Sequence, residues 1–519
     1  MGNQIGRKLN TVQIATIIAV LAIASKVIGF VREMLMANYF GTSDVVDAYV
    51  ISTNIPNIIF MGLLGAVAKA FVPLYSKIKE NEGEEAGNLF YSRTLNILTV
   101  ITLTSSVLGI IFSRQFVFIF ANGWFSNPEM AGAIDMASFF IKISFSFAFF
   151  SALGEVMASY LKYRGVYIRN VFADYCISLF SIVFIILAYY YGYQLLIFGI
   201  LGGQAMRFFI LARLSKKEKY KHKFDFKLND TIKQIFALTL PIFWGSTMSQ
   251  INQFINRQLA SSLPEGSISA LNYGALLMGL VGAITSYVLG ILVYPKLAKA
   301  ENTNNPKQWD NMVLTGLNII WIVAVPLQMV FLYYSRFLVQ VVFERNEFDV
   351  ASTDLTSIAF FYYSIGIALS LSTGLLVQAF YSKSEMMLPM KIALFTLSVH
   401  IVLNIILVQF LYLGGLALGS SIANSLQGIL LLIFLKRRKW LSLDMKYLKS
   451  VVKIVISAVI SFICLVLIDT FAFSVLWPEG PALARFLISL AIATGIYFLL
   501  LKKLKIREIS LLRNIIRRA

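Results

Sequence analysis

Ser25-Lys26-Val27-Ile28-Gly29-Phe30-Val31-Arg32-Glu33, followed by Asn38-Tyr39-Phe40-Gly41-Thr42-Ser43-Asp44 and Asp47-Ala48-Tyr49, sets five ionisable side chains inside or beside stretches otherwise apolar enough to span a bilayer. An ionisable group at such depth costs at least about 2.5 kcal/mol unless it is paired or faces a wet cavity, so each is a functional candidate. The rest of the chain agrees with a membrane setting. Of 519 residues, 58% are hydrophobic and only 14% charged, against about a quarter charged in soluble domains. The net charge of +19 would suggest nucleic acid in a soluble protein. Here it follows from the collection of Lys and Arg in cytoplasmic loops, and no nucleic acid partner is expected. Cys176 and Cys464 both fall in apolar runs, which argues against a disulfide framework. With only His222 and His400, a His-rich metal site or a His-based triad is hard to build. No catalytic centre, metal or cofactor is expected.

A spanning helix needs about twenty apolar residues. By that measure about 14 transmembrane helices are expected, starting near Thr11, Asp44, Leu89, Ala131, Val166, Tyr193, Thr231, Gly266, Asp310, Ala351, Met386, Gly415, Tyr447 and Pro481. The first apolar segment is too long for a signal-peptide core and lacks a small-residue cleavage site, so it reads as a span. Loop charge sets the orientation. Even-numbered connections carry Lys69-Lys77-Lys79, Lys162-Arg164-Arg169, Lys216 through Lys223, Lys296-Lys299 and Lys436 through Lys439, whereas the odd ones are poor in Lys and Arg. Both termini are then cytoplasmic, and the basic tail from Lys502 to Arg518 suits an anionic inner leaflet.

A repeat of low similarity also stands out. Arg32 precedes Gly41 by nine residues, as Arg257 precedes Gly266. Each glycine is expected to end a tight outer turn and open a helix carrying Asp47-Ala48-Tyr49 or Leu271-Asn272-Tyr273. The repeat implies two six-helix halves and a terminal pair. The divisions expected are 1–225, 226–440 and 441–519.

A rise of 1.5 Å per residue from Thr11 puts Lys26 near mid-membrane and Arg32 roughly 9 Å further out. Lys26 and Glu33 share a stripe, with Arg32 about 120° away, so only a wide cavity touches all three. Asp47, Asn54 and Asn57 form a polar arc on the second helix, where Pro56 removes a backbone hydrogen bond and should kink or break it. The reading is a cationic cavity for an anionic substrate, with Asp47 balancing Arg32 near the outer mouth. The bland alternative is an ion pair that fixes two helices. Lys142, near mid-depth, is a further cavity candidate; Asn256 and Arg257 could line or cap a second lobe. His400 and Asn404, four residues apart, suit either a proton or sodium site or a hydrogen-bonded interior pair. Asp174 and Arg207 are expected to pair.

Several of these segments resemble the lipid II flippase family known as MurJ or MviN. The resemblance rests on Ser25 through Arg32, Phe40-Gly41, Asp47-Ala48-Tyr49, Ile55-Pro56-Asn57 and Ala70-Phe71-Val72-Pro73. It continues at Gly266 through Tyr273, Glu344-Arg345-Asn346-Glu347-Phe348, Tyr363 through Gly366 and Ala379-Phe380-Tyr381. It implies an all-α polytopic membrane protein of the multidrug/oligosaccharidyl-lipid/polysaccharide exporter fold, with two six-helix lobes in a V and a C-terminal helix pair beside a lipid-tail groove. It implies alternating access for a polyprenyl-pyrophosphate-linked saccharide in the bacterial cytoplasmic membrane. Sodium, protons and membrane potential are the candidates for coupling, and cell-wall synthesis machinery is a candidate partner. It places Lys26, Arg32 and Asp47 among the cavity charges. The family has Arg at Lys26, and two further family arginines fall at Phe60-Met61 and Leu276 here. That leaves a less cationic cavity and keeps a teichoic, capsular or exopolysaccharide repeat unit as the alternative cargo. A membrane glycosyltransferase would want outer carboxylates on a substantial loop, and the outer loops are short.

Overall fold

A chain in hydrocarbon must satisfy its own backbone donors and acceptors, and this one does so with helices. The computed structural model describes residues 11–58, 62–218, 220–227, 229–303, 305–472, 480–506 and 508–509. In chain order the helices are α1 (Thr11–Phe40), α2 (Asp44–Pro56), α3 (Gly62–Glu82), α4 (Glu84–Ile111), α5 (Ser113–Phe120), α6 (Ala131–Tyr163), α7 (Tyr167–Tyr191), α8 (Leu196–Lys217) and α9 (Asp230–Ala260). They continue as α10 (Ser267–Leu292), α11 (Tyr294–Asn302), α12 (Pro306–Phe343), α13 (Val350–Ser364), α14 (Ile367–Ser382), α15 (Met387–Leu411), α16 (Leu413–Arg437), α17 (Met445–Leu467) and α18 (Ala482–Lys503). Every start expected from the sequence lies within about five residues of one of these, the widest offset being Leu89 against Glu84. Among the described residues, 9 helices are long and apolar enough to cross a membrane, and 10 if α13 and α14, bent by 55°, make one span. The protein is a multi-pass membrane protein. Helix α15 shows why: its mean hydropathy is 2.2, yet only 17% of its apolar window is buried by protein, so lipid must cover the remainder.

Two compact units form, Met1–Ala270 with Phe343–Ser352, and Leu271–Val342 with Thr353–Ala519. The divisions at 225/226 and 440/441 expected from helix topology are a different partition. Helix α9 packs along α3 and so joins the first unit, and the loop after α12 joins it too, through Glu347 N–H donating to the Asn38 carbonyl at 3.2 Å.

In the first unit, small residues let helices touch. A Cβ on Gly203 would lie 2.6 Å from the Ile177 Cα, and one on Gly199 would lie 2.9 Å from the Ser181 Cα, so α8 lies directly on α7. Ser52 and Ser106 donate to the Ala137 and Phe145 carbonyls at 3.0 and 2.8 Å, fastening α2 and α4 to α6. Rings of Phe71, Tyr75, Tyr91 and Tyr160 fill the space between α3, α4 and α6. Helix α2 ends at Pro56, with Asn57–Ile58 in a wider π-type turn, as a proline lacking its N–H requires. Phe60 and Met61 lie outside the described residues.

In the second unit, Gly415 and Gly419 bring α16 onto α15, after a turn at Tyr412 with φ +47°. Helix α12 bends at Tyr334, whose hydroxyl donates to Asp469 at 2.8 Å beyond α17. The Tyr497 hydroxyl of α18 donates to the Ile322 carbonyl of α12 at 2.8 Å. These two bonds fasten the terminal pair to α12.

Candidate functional site

The two turns of the repeat are where the chain is most tightly constrained. Gly41 and Gly266 both take left-handed φ, +57° and +81°, as a tight turn before a helix needs. A Cβ on Gly41 would lie 2.3 Å from the Glu347 carbonyl oxygen, and one on Gly266 would lie 2.3 Å from that of Thr42. The α1–α2, α9–α10 and α12–α13 turns therefore interlock by direct backbone approach.

Asp47 sits at the centre of this interlock, 3% exposed. Its Oδ2 accepts from Gly266 N–H at 3.1 Å and its Oδ1 from Ser269 N–H at 2.7 Å. Helix α10 begins at Ser267, so these are N-terminal amides with no partner inside their own helix. A carboxylate from another helix answers both, with the helix dipole reinforcing the contact. Around it, Asp44 N–H donates to Glu265 at 3.1 Å, the hydroxyls of Thr42 and Ser352 are 2.9 Å apart, and Asn346 Nδ2 donates to Asn38 Oδ1 at 3.2 Å. Asp349 caps α13 by accepting from Ser352 N–H at 2.8 Å, which holds its carboxyl below the usual range.

This corrects one expectation. Asp47 does not balance Arg32. The guanidinium instead bonds its own neighbour Glu33, with Nε–H donating at 3.2 Å and Nη2 closer still, both side chains being half-buried. Neighbouring residues point about 100° apart on a helix, but these side chains are long enough to curl together. Lys26 is exposed on α1 amid exposed Ile23, Val27 and Val31, and Lys142 is exposed on α6. Neither forms an ion pair among the described residues. Asn54 spends its amide donor on the Val50 carbonyl at 2.6 Å, and Asn57 is half-buried just past α2. Asn256 and Arg257 are half-buried near the end of α9, with Arg257 Nη2 donating to Gln253 Oε1 at 3.4 Å.

His400 and Asn404 lie in the second unit, both fully buried between α15 and α16. The His400 Nε2 is 3.1 Å from both the Ser420 hydroxyl and the Asn404 amide. Asp174 and Arg207 pair as expected, at 2.6 Å, and Glu155 completes the cluster at 2.9 Å. The sequence reading missed Glu155 as a partner, and it missed the amides of Gly266 and Ser269. Main-chain donors have no residue signature; the one available signal was the Gly41/Gly266 spacing.

The family model described as "Lipid II flippase MurJ" matches residues 36–477. The chain belongs to the MurJ family. A lipid II flippase MurJ of Burkholderia cenocepacia is 25% identical over 426 residues, covering 80% of this chain and 81% of its own. A probable lipid II flippase MurJ of Buchnera aphidicola is 26% identical over 461 residues, covering 86% and 88%. Among solved structures, a lipid II flippase MurJ in an inward closed conformation superposes with a TM-score of 0.80 at 22% identity, covering 93% of this chain and 97% of the other. An inward-facing multidrug resistance MATE transporter of the MOP superfamily gives 0.63 at 14% identity, over 80% and 94%. At those identities the structures establish a shared fold.

Proposed function

We propose that this chain moves lipid II, the undecaprenyl-pyrophosphate-linked peptidoglycan precursor, from the inner to the outer leaflet of a bacterial cytoplasmic membrane, with both termini cytoplasmic. Family membership supports the cargo. The single observation that carries the mechanism is the Asp47 carboxylate seated on the N-terminus of α10. It closes the outer side through a few directional bonds, which can be made and broken as a unit.

Cargo binds from the cytoplasmic side. Lys26, Arg32 and Lys142 attract its pyrophosphate, and Arg32 exchanges Glu33 for phosphate oxygens, for which its planar fork is well matched. Asn54, Asn57, Asn256 and Arg257 offer polar contacts to the saccharide. Transport follows only if the loaded headgroup binds the outward-open state better than the state closed at Asp47. The His400–Asn404–Ser420 cluster is the proposed place for a coupling sodium ion or proton. The membrane potential adds about 2.3 kcal/mol per charge per 100 mV. Cell-wall synthesis proteins are the proposed partners.

Complementation tests this reading. The chain is expressed in cells depleted of their own lipid II flippase, beside Arg32→Ala and Asp47→Ala. Rescue by the unaltered chain, lost in both variants while they still insert, is the expected result. Absence of rescue despite membrane expression would refute the cargo, and full rescue by Arg32→Ala would refute the cavity charge.

A further inference from the structure

The second unit contains a cavity of about 540 Å³ that the flipping reading does not use. It forms where α12 and α17 begin and α14 and α16 end, on the side assigned above to the cytoplasm. Lys307, Lys383, Lys436 and Lys439 line it, with Trp309 and Trp440.

Local partners account for part of this charge. Lys383 pairs with Glu301 and lies over the Trp309 ring, 4.9 Å from its centroid. Asp310 is held by the Ser442 N–H at 3.0 Å and by the Ser442 hydroxyl, and Asp444 caps α17 through Tyr447 N–H at 2.9 Å. Lys307, Lys436 and Lys439 are exposed and form no ion pair among the described residues. Set against the Asp310 and Asp444 carboxylates, these three lysines still leave the lining with a net positive charge. Two helix N-termini, at Pro306 and Met445, add the positive ends of their dipoles.

The aromatic lining narrows the class of ligand. Trp309 is 1% exposed and fixed by its indole N–H donating to the Ser382 hydroxyl at 2.8 Å. Trp440 packs on Phe380 at 5.9 Å and lies under the Arg438 guanidinium at 5.0 Å. A half-buried indole, that of Trp440, together with lysines at the ends of apolar helices is the chemistry of the headgroup level of a bilayer. A small soluble anion would need the lysines alone.

We propose that this cavity binds the phosphate-bearing headgroup of an anionic phospholipid, with Lys307, Lys436 and Lys439 on the phosphate and the half-buried Trp440 against the glycerol and upper acyl carbons, Trp309 forming the buried floor. The bound lipid bridges the start of α17 to α12 and α16. The assignment rests on the membrane placement proposed above and not on the cargo, so failure of complementation leaves it standing.

The test uses full-length protein extracted from bilayers containing equal phosphatidylglycerol and phosphatidylcholine, with retained lipids counted by native mass spectrometry. The unaltered chain should retain phosphatidylglycerol preferentially. A triple variant, Lys307→Gln, Lys436→Gln and Lys439→Gln, should lose that preference and retain the two lipids equally. A control variant, Lys446→Gln, Lys449→Gln and Lys503→Gln, removes equal charge outside the cavity and should keep it. A preference unchanged in the triple variant, or lost equally in the control, would overturn the site. Binding of inorganic phosphate with no preference between the two lipids would make the occupant a free anion and overturn the lipid assignment.

Discussion

Truncating Asp47 to alanine should open the closure around it, by an amount the geometry allows to be worked out. Two amide donors, at 3.1 and 2.7 Å, lose a charged acceptor. Hydrogen bonds to charged groups contribute about 1.5–3 kcal/mol each. Water can solvate the freed amides of Gly266 and Ser269 once the carboxylate is gone, so the lower end applies, about 3 kcal/mol for the pair. That is roughly 150-fold in the ratio of closed to open. The reporter is Ser267→Cys, at a position 1% exposed in the first turn of α10, in a chain whose Cys176 and Cys464 are replaced by alanine. Its labelling by a membrane-impermeant maleimide, added outside intact cells, should accelerate by about that factor in Asp47→Ala. Asp47→Asn should fall between, since one amide oxygen can still accept from Ser269 while its NH2 faces the Gly266 donor. A rate unchanged within about twofold in Asp47→Ala, with normal insertion, would show that the carboxylate does not hold the closure, because a shift of even 1 kcal/mol changes the ratio about fivefold.

Gly266→Ala should abolish complementation while leaving insertion intact. It combines a left-handed φ of +81°, costing about 1–2 kcal/mol, with a Cβ only 2.3 Å from the Thr42 carbonyl oxygen; wild-type growth would contradict this. Arg207→Ala should lower stability by about 1.5–3 kcal/mol, read as lost monodisperse protein on heating in detergent, because the partly exposed Glu155 and Asp174 carboxylates lose the cation they share. The residues 220–227 that follow α8 are held to α4 by Arg93 donating to Asp225 at 2.7 Å and by Asn96 donating to the Lys223 and Asp225 carbonyls, both at 2.9 Å. The Arg93 hydrogen bond holds the Asp225 carboxyl below its ordinary value. A depressed pKa stabilises the attached form above the free value of about 3.9 and loses that contribution as pH falls through the attached value. Proteolysis within this segment, by an acid-active protease, should therefore rise as pH drops below about 4. Asp225→Asn should show the raised rate already at neutral pH. A flat profile in the unaltered chain would count against the Arg93 tether.

The sequence alone determined the class of protein and where the long apolar helices begin, but not the starts of α3, α5, α11 and α14. Twenty-residue apolar runs have no stable alternative to a helix in lipid, and few side chains are needed to recognise one. It also marked Gly41 and Gly266, because a turn with φ above zero selects for glycine whatever the context. Partners were another matter. Arg32 and Asp47 looked complementary in depth and charge, yet Arg32 found Glu33 beside it and Asp47 found two amides 219 and 222 residues away. A backbone N–H is present at every residue but proline, so nothing in the sequence marks Gly266 and Ser269 as the ones left without an acceptor. Only the folded chain, by ending one turn against the first turn of another helix, decides which amides are left for a distant carboxylate to satisfy.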